Sequence, residues 1–382
     1  MKIAIVHYWL VSMRGGEKVV AELCRLYPEA DLFTHVVVPE KLDPVILRHR
    51  IETSFISRLP FARKRYKAYL PLMPMALEQF DLSGYDLVIS SEAGPAKGVV
   101  PDPDAVHVCY VHSPMRYLWN MYHSYRTELS GPGRLLWAPL SHYLRGWDAA
   151  TASRVDRFVA NSANVAARIR RYWGRNADII HPPVDVSAFE PAAGDDGFYL
   201  LAGQLVGYKR ADLAVEAFNA SGRPLVVIGD GEQLPRLRRM ARPNVQILGP
   251  QPFPVLRDHL MRCRALLFPG EEDFGIVPVE AMACGKPVIA YGRGGALETV
   301  VDGLSGLFFH EQTAEALNAA VDRLERVRAN FRPDRIARHA TQFDAAIFRE
   351  RFRRTVEMAL AERRRAVEVP AAAPRVTTVD GD

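Results

Sequence analysis

Nine short runs of β-branched and apolar residues recur along the chain, each followed by a segment with helical spacing: KIAIVH (2–7), DLVIS (86–90), VHVCYV (106–111), RFVA (157–160), FYLLAG (198–203), PLVVIG (224–229), VQILG (245–249), ALLF (265–268) and PVIAY (287–291). Strands alternating with helices predict βαβ units and parallel sheets. The rhythm starts twice, because KIAIVHYWLVSMRGGEKVVAELCRL and FYLLAGQLVGYKRADLAVEAF each read strand, polar loop, helix. A chain of 382 residues exceeds what one hydrophobic core ordinarily serves. The expectation is an α/β protein of two doubly wound, Rossmann-like domains.

The boundary is expected near Ile179-Ile180-His181-Pro182-Pro183-Val184-Asp185, where adjacent prolines forbid regular structure. This gives a first domain at 1–178 and a second at 185–344. Ala345, Phe348, Phe352, Val356 and Ala359 recur at spacings of three and four, which predicts an amphipathic helix over about 345–365 that completes the first domain. The end of the chain, 366–382, reads as a disordered tail.

Composition excludes the fibrous and largely disordered classes, with 48% hydrophobic and 24% charged residues. Cys24, Cys109, Cys263 and Cys284 stand singly, encoding neither a disulfide framework nor a zinc site, and a reducing cytoplasm fits them. No apolar run reaches the roughly 20 residues of a membrane span, and the N-terminus leads straight into a strand rather than a signal peptide. The net charge of +5 is uneven: residues 1–175 hold 23 Lys and Arg against 16 Asp and Glu. Nucleic acid, an anionic leaflet and a phosphorylated substrate are all partners for such a surface, although no stacking-aromatic RNA motif or recognition-helix pattern is present. The segment from Phe55 to Leu70 interleaves basic and bulky apolar residues and suits either an anionic membrane surface or a solvated basic loop.

Ligands of open parallel sheets bind beyond the carboxyl ends of the strands, and the unusual polar residues fall there. Gly15-Gly16 opens a helix, where backbone amides can approach an anion or sugar, or where the pair simply makes a tight turn. His112 follows an apolar strand, as a sugar-positioning or a structural histidine. Lys209 and Arg210 start the helix ADLAVEAF, where the macrodipole disfavours cations, so either a diphosphate compensates them or water solvates them. In Glu271-Glu272-Asp273-Phe274-Gly275-Ile276-Val277-Pro278-Val279-Glu280, Pro278 suits a first helical turn, which puts Glu280 in that turn and Glu272 in the loop before it. Both carboxylates can then face one ligand, or Glu280 can merely complement the dipole.

The frame EDFGIVPVEAMACGKPVIA resembles the two-glutamate signature of the retaining glycosyltransferases of family GT4, which have the GT-B fold: two Rossmann-like domains facing each other across a cleft. The GG loop, the strand-end histidine, NSANVAARI (161–169), the PPVD linker and LVGYKRADLAVEAFN stand in the matching order. VHSPMRYLWNMY (111–122) and the YKR loop are most similar to bacterial O-antigen and exopolysaccharide mannosyltransferases that use GDP-mannose. The resemblance implies that Lys209 with Arg210 neutralises the donor diphosphate, Glu280 holds the ribose, and Glu272 with the Phe274-Gly275-Ile276 backbone holds the donor sugar. It further implies that His112 contacts that sugar near the reacting carbon, and that Gly15 and Gly16 line the cleft near donor phosphate and acceptor. Many relatives carry Arg where this chain has Gln204, a phosphate contact then lost or taken over by Arg210. Base selection is expected around Gly249-Pro250-Gln251.

The implied activity is metal-independent, retaining transfer of mannose onto a polyprenyl-diphosphate-linked saccharide, by a cytoplasmic protein peripheral to the membrane. No His/Asp cluster proposes a metal. A nucleotide-sugar epimerase or hydrolase shares the architecture, and a basic nucleic-acid-binding protein is the reading from a different class.

Overall fold

The computed structural model describes residues 1–368. Seven parallel strands form the first sheet: β1 (Ile3–His7), β2 (Asp31–Thr34), β3 (Ile51–Thr53), β4 (Leu87–Glu92), β5 (Val106–Val111), β6 (Arg157–Ala160) and β7 (Ala177–Ile179), in the order β3-β2-β1-β4-β5-β6-β7. The runs read as most apolar are central, and every residue of β1, β4 and β5 is buried, as helices on both faces of a parallel sheet require.

The second sheet has six parallel strands: β8 (Tyr199–Ala202), β9 (Leu225–Ile228), β10 (Val245–Gly249), β11 (Leu266–Phe268), β12 (Val288–Tyr291) and β13 (Gly306–Phe309), in the order β10-β9-β8-β11-β12-β13. Each sheet is doubly wound. The chain works outward from β1 or β8, then returns to the other side of that strand at β4 or β11. The switch points, where Rossmann-like sheets bind ligands, are therefore β1/β4 and β8/β11.

The chain crosses between lobes twice, and the two crossings touch. Val184 donates its amide to the Phe343 carbonyl at 3.0 Å, and Ala345 donates to the Val184 carbonyl at 3.1 Å. Past this strap the helix Ala345–Glu368 returns to the first lobe, where Phe348, Phe352, Val356 and Ala359 enter the core beside Ile5, Ile89 and Tyr110. It runs three residues into the segment read as a tail, and the remainder of that segment lies outside the described residues. Among the described residues, no helix is long and apolar enough to cross a membrane.

Candidate active site

The two switch points face each other. β1 leads to Arg14 and the helix Gly15–Leu26, and β5 to His112, while β8 leads to Gly203-Gln204 and β11 to the loop that ends at Gly275. A cleft of about 710 Å³ lies between them, lined from both lobes, a size suited to a small-molecule ligand. Gly15, Gly16, His112, Lys209, Glu272, Phe274, Gly275, Ile276 and Glu280 all line it, together with Pro250 and Gln251.

Gly275 caps the helix Ile276–Ala283 at φ 94°, a conformation that disfavours any Cβ. A Cβ here would also lie 2.7 Å from Phe268 Cζ. The loop before it is held from behind, where the Gly295 amide donates to the Glu272 carbonyl at 2.8 Å. This leaves the Glu272 carboxylate to accept a hydrogen bond from Lys209 Nζ at 2.8 Å. Burial, the largest single influence, works to lower the Lys209 pKa, but the Glu272 charge, the Tyr208 hydroxyl and the hydrogen bond to Glu272 together outweigh it and leave the ammonium stabilised. The helix begins at Ile276, so Glu280 is its fifth residue and lies past the first turn, in contrast to the sequence-based expectation. Its carboxylate accepts from Lys18 Nζ at 2.9 Å, across the cleft.

On the opposite wall His112 Nε2 lies 2.8 Å from Ser91 Oγ, and Asn161 donates to the His112 carbonyl at 2.9 Å. Burial pushes the His112 pKa down to about 4, so the imidazole is neutral near pH 7 and suited to hydrogen bonding rather than to carrying charge. A Cβ at Gly16 would lie 3.1 Å from Tyr8 Oη, 3.5 Å from the His7 ring and 3.6 Å from His112 Nε2. A side chain here would occupy the cleft floor.

Arg210 stands apart from the expected diphosphate contact. It adopts a left-handed backbone, φ 53°, to start the helix Ala211–Ser221, and this sends its guanidinium away from the cleft to Asp212 Oδ1 at 3.3 Å and Gln312 Oε1 at 3.5 Å. Sequence reasoning assigned no role to Arg14, which lines the cleft against Gln204. It also missed the pairs that join the lobes. Asp273 receives both Arg168 and, at 3.7 Å, Arg116 from the first lobe. Glu298 accepts the Ala163 and Asn164 amides at 2.8 and 3.1 Å, capping the helix Ala163–Trp173 across the interface, and lies 3.3 Å from His181 Nε2. These partners are 105 or more residues apart in the chain, out of reach of any motif.

Two doubly wound lobes with opposed switch points, and paired acidic and basic side chains in the cleft between them, define the GT-B class. Residues 186–342 match the family model described as Glycosyl transferases group 1, and residues 13–188 match Glycosyltransferase Family 4. The chain belongs to these glycosyltransferases, the two models together spanning 13–342.

The chain is 29% identical over 220 residues to a D-inositol 3-phosphate glycosyltransferase of Catenulispora acidiphila, covering 48% of this chain and 53% of that one. It is 29% identical over 217 residues to a GDP-mannose-dependent alpha-(1-6)-phosphatidylinositol monomannoside mannosyltransferase of Mycolicibacterium smegmatis, covering 46% and 57%. The chain thus spans about half the length of these curated relatives. Among solved structures, Anabaena HepE in complex with UDP superposes with a TM-score of 0.67 at 17% identity, covering 94% of this chain and 100% of that one. The sucrose-phosphate synthase of Thermosynechococcus elongatus gives 0.69 at 17%, covering 95% and 100%. These likenesses show the fold.

Proposed function

We propose that this protein is a retaining glycosyltransferase that moves mannose from GDP-mannose onto a lipid-diphosphate-linked saccharide. The observation that carries it is the convergence of Lys209, Glu272, Glu280, His112 and the Gly15-Gly16 amides on one interlobe cleft. Mannose and GDP draw support from the mannosyltransferase relative.

The donor's diphosphate is the leaving group, so the step is favoured by groups that stabilise negative charge as it departs. Lys209 and the amides opening the helix Gly15–Leu26 serve this without a metal. Glu272 holds the sugar, Glu280 the ribose after exchanging Lys18 for hydroxyl groups, and neutral His112 hydrogen-bonds the sugar from the other wall. Of the carboxylates that line the cleft, Glu272, Asp273 and Glu280 are each engaged by a cation, and Asp230 is exposed and accepts the Gly231 amide at 2.9 Å; transfer is proposed as same-face attack by the acceptor. The anomeric C–O bond breaks with its electrons to the diphosphate, the acceptor oxygen bonds to the same face, and its proton passes to a departing phosphate oxygen.

The acceptor's lipid fits the segment 55–72. Phe61 is 72% exposed, and Arg58, Arg63, Lys64, Arg65 and Lys67 are exposed around it, an apolar and basic surface suited to an anionic leaflet.

Thermal shift against a panel of GDP- and UDP-sugars tests the donor, with GDP-mannose expected to stabilise most. Lys209→Ala and Glu272→Ala should each abolish most transfer while the folded signal persists, and near-normal transfer in either removes that residue from its role. Turnover of donor without acceptor would point to an epimerase or hydrolase, and tight, salt-steep oligonucleotide binding with no response to nucleotide sugars to a nucleic-acid-binding protein. Flotation with anionic liposomes tests the surface, and absence of binding at low salt argues against it.

A further inference from the structure

We propose that Arg14 is a second diphosphate-binding residue, delivered to the donor lobe from the opposite side of the cleft. The inference rests on the nucleotide-sugar reading of that cleft. Four basic side chains line it: Arg14, Lys18, Arg116 and Lys209. Lys18 is paired with Glu280, Arg116 with Asp273 and Lys209 with Glu272. Among the described residues Arg14 forms no ion pair. Glu17, whose carboxylate feels its charge, is taken up by the Arg14 backbone amide at 3.1 Å and by Ser12. The Arg14 guanidinium instead meets a neutral group. With the Gln204 amide turned oxygen-first, Nη1 lies 2.5 Å from it and Nε and Nη2 both 3.2 Å. An amide satisfies N–H donors but does not cancel the charge, so Arg14 is, among the described residues, the cleft-lining cation with no carboxylate at ion-pair distance, Glu17 acting on it only through its longer-range field.

Its place suits a diphosphate. Gln204 follows Gly203, where an added Cβ would lie 3.8 Å from Lys209 Nζ. The loop after β8 thus has Lys209 beside it and Arg14 reaching it from the other lobe. A diphosphate carries more negative charge than one ammonium balances, and Arg210 is turned away. A guanidinium binds phosphate oxygens in a bidentate fork, and a neutral amide is a partner it can exchange at little electrostatic cost. Arg14 is the extended N-cap of the helix Gly15–Leu26 and its carbonyl accepts from the Lys18 amide at 2.8 Å, so the start of that helix addresses both Gln204 and Glu280. A diphosphate held by Lys209 and Arg14 together binds both lobes at once and favours the closed arrangement by that differential contact.

Calorimetric titration of the full chain with GDP and with GMP tests this. Arg14→Ala should weaken GDP about tenfold to a hundredfold and reduce the preference for GDP over GMP. Arg14→Lys, which keeps the charge but not the fork, should fall between, and is read if Arg14→Ala lowers the thermal midpoint. Gln204→Arg in the Arg14→Ala background, which returns a guanidinium to the same spot from the donor lobe, should restore most of the affinity. A merely structural role would weaken both nucleotides alike and gain nothing from arginine at 204. Arg14 variants that bind GDP as the native chain does, while Lys209→Ala is weakened, overturn the inference alone. A native chain that binds neither GDP nor UDP overturns the nucleotide-sugar reading and this inference with it.

Discussion

Replacing His107 with glutamine should remove about 2 kcal/mol of the protein's sensitivity to mild acid. His107 lies fully buried on β5, and burial pushes its pKa down to about 4 from 6.5. Its Nδ1–H donates to the Arg154 carbonyl at 2.9 Å, so Nε2 accepts from the Ser90 hydroxyl at 2.8 Å. A proton on Nε2 would make the Ser90 hydroxyl turn from donor to acceptor and would place a positive charge in a buried site. For a group whose pKa falls on folding, the unfolded chain takes the proton first. The stabilising contribution is intact above about 6.5 and drains as the pH falls toward the folded value. Between pH 7 and pH 5 this costs about 2 kcal/mol for His107.

His35, lowered to about 4, and His7, lowered to about 3, are buried in the same lobe and lose about as much each; half-buried His112 leans the same way. Glu92 opposes them: burial raises its pKa to about 7, so the folded state takes up a proton and gains about 2 kcal/mol over the interval. Glu17, also raised by burial, acts with it. The native slope is the sum, so the diagnostic quantity is a difference. Urea unfolding followed by tryptophan fluorescence, at pH 7 and pH 5 for the native chain and His107→Gln, gives each protein's pH-induced loss within itself. The variant's loss should be smaller by about 2 kcal/mol; equal losses would refute the reasoning.

Gly275→Ala combines a positive φ with a Cβ 2.7 Å from Phe268 Cζ, and should cost about 2–5 kcal/mol and the nucleotide response; unchanged urea unfolding and nucleotide binding would count against this account of the glycine. Glu298→Ala strips the Ala163 and Asn164 amides and His181 of their acceptor across the interface. It should cost about 1–3 kcal/mol and raise both the radius of gyration in X-ray scattering and amide exchange at 163–165. Identical scattering and exchange would show that the contact does not hold the lobes.

The apolar runs located nine of the thirteen strands: eight carry the buried middles of the two sheets, and β10, although an edge strand with one exposed residue, keeps the apolar run VQILG. The missed ones left weaker marks. β3 and β7 are three-residue edge strands with no fully buried position, β13 is an edge strand that begins with glycine, and β2 is four residues led by Asp31. Glu272, Lys209, His112 and Gly15-Gly16 were legible because each sits at a strand end within a local pattern. Arg14, Lys18, Asp273 and Glu298 were not, since each meets a partner brought near only by the closing of two lobes. Arg210 was misread because the left-handed turn that starts its helix, and so the direction of its side chain, is not written in the pair KR.

The strap at Val184 and Asp344 gives the molecule a spine. Because both passages of the backbone lie side by side and share hydrogen bonds, sliding one lobe past the other would tear them, whereas swinging about them would not. His181, which stacks on Phe274 and meets Phe343 edge-on, pins the glutamate-bearing loop beside that axis. Pages opened from such a binding part widely at the fore-edge and hardly at all next to the stitching, so Phe274 and Pro182 travel least and the residues farthest out travel most.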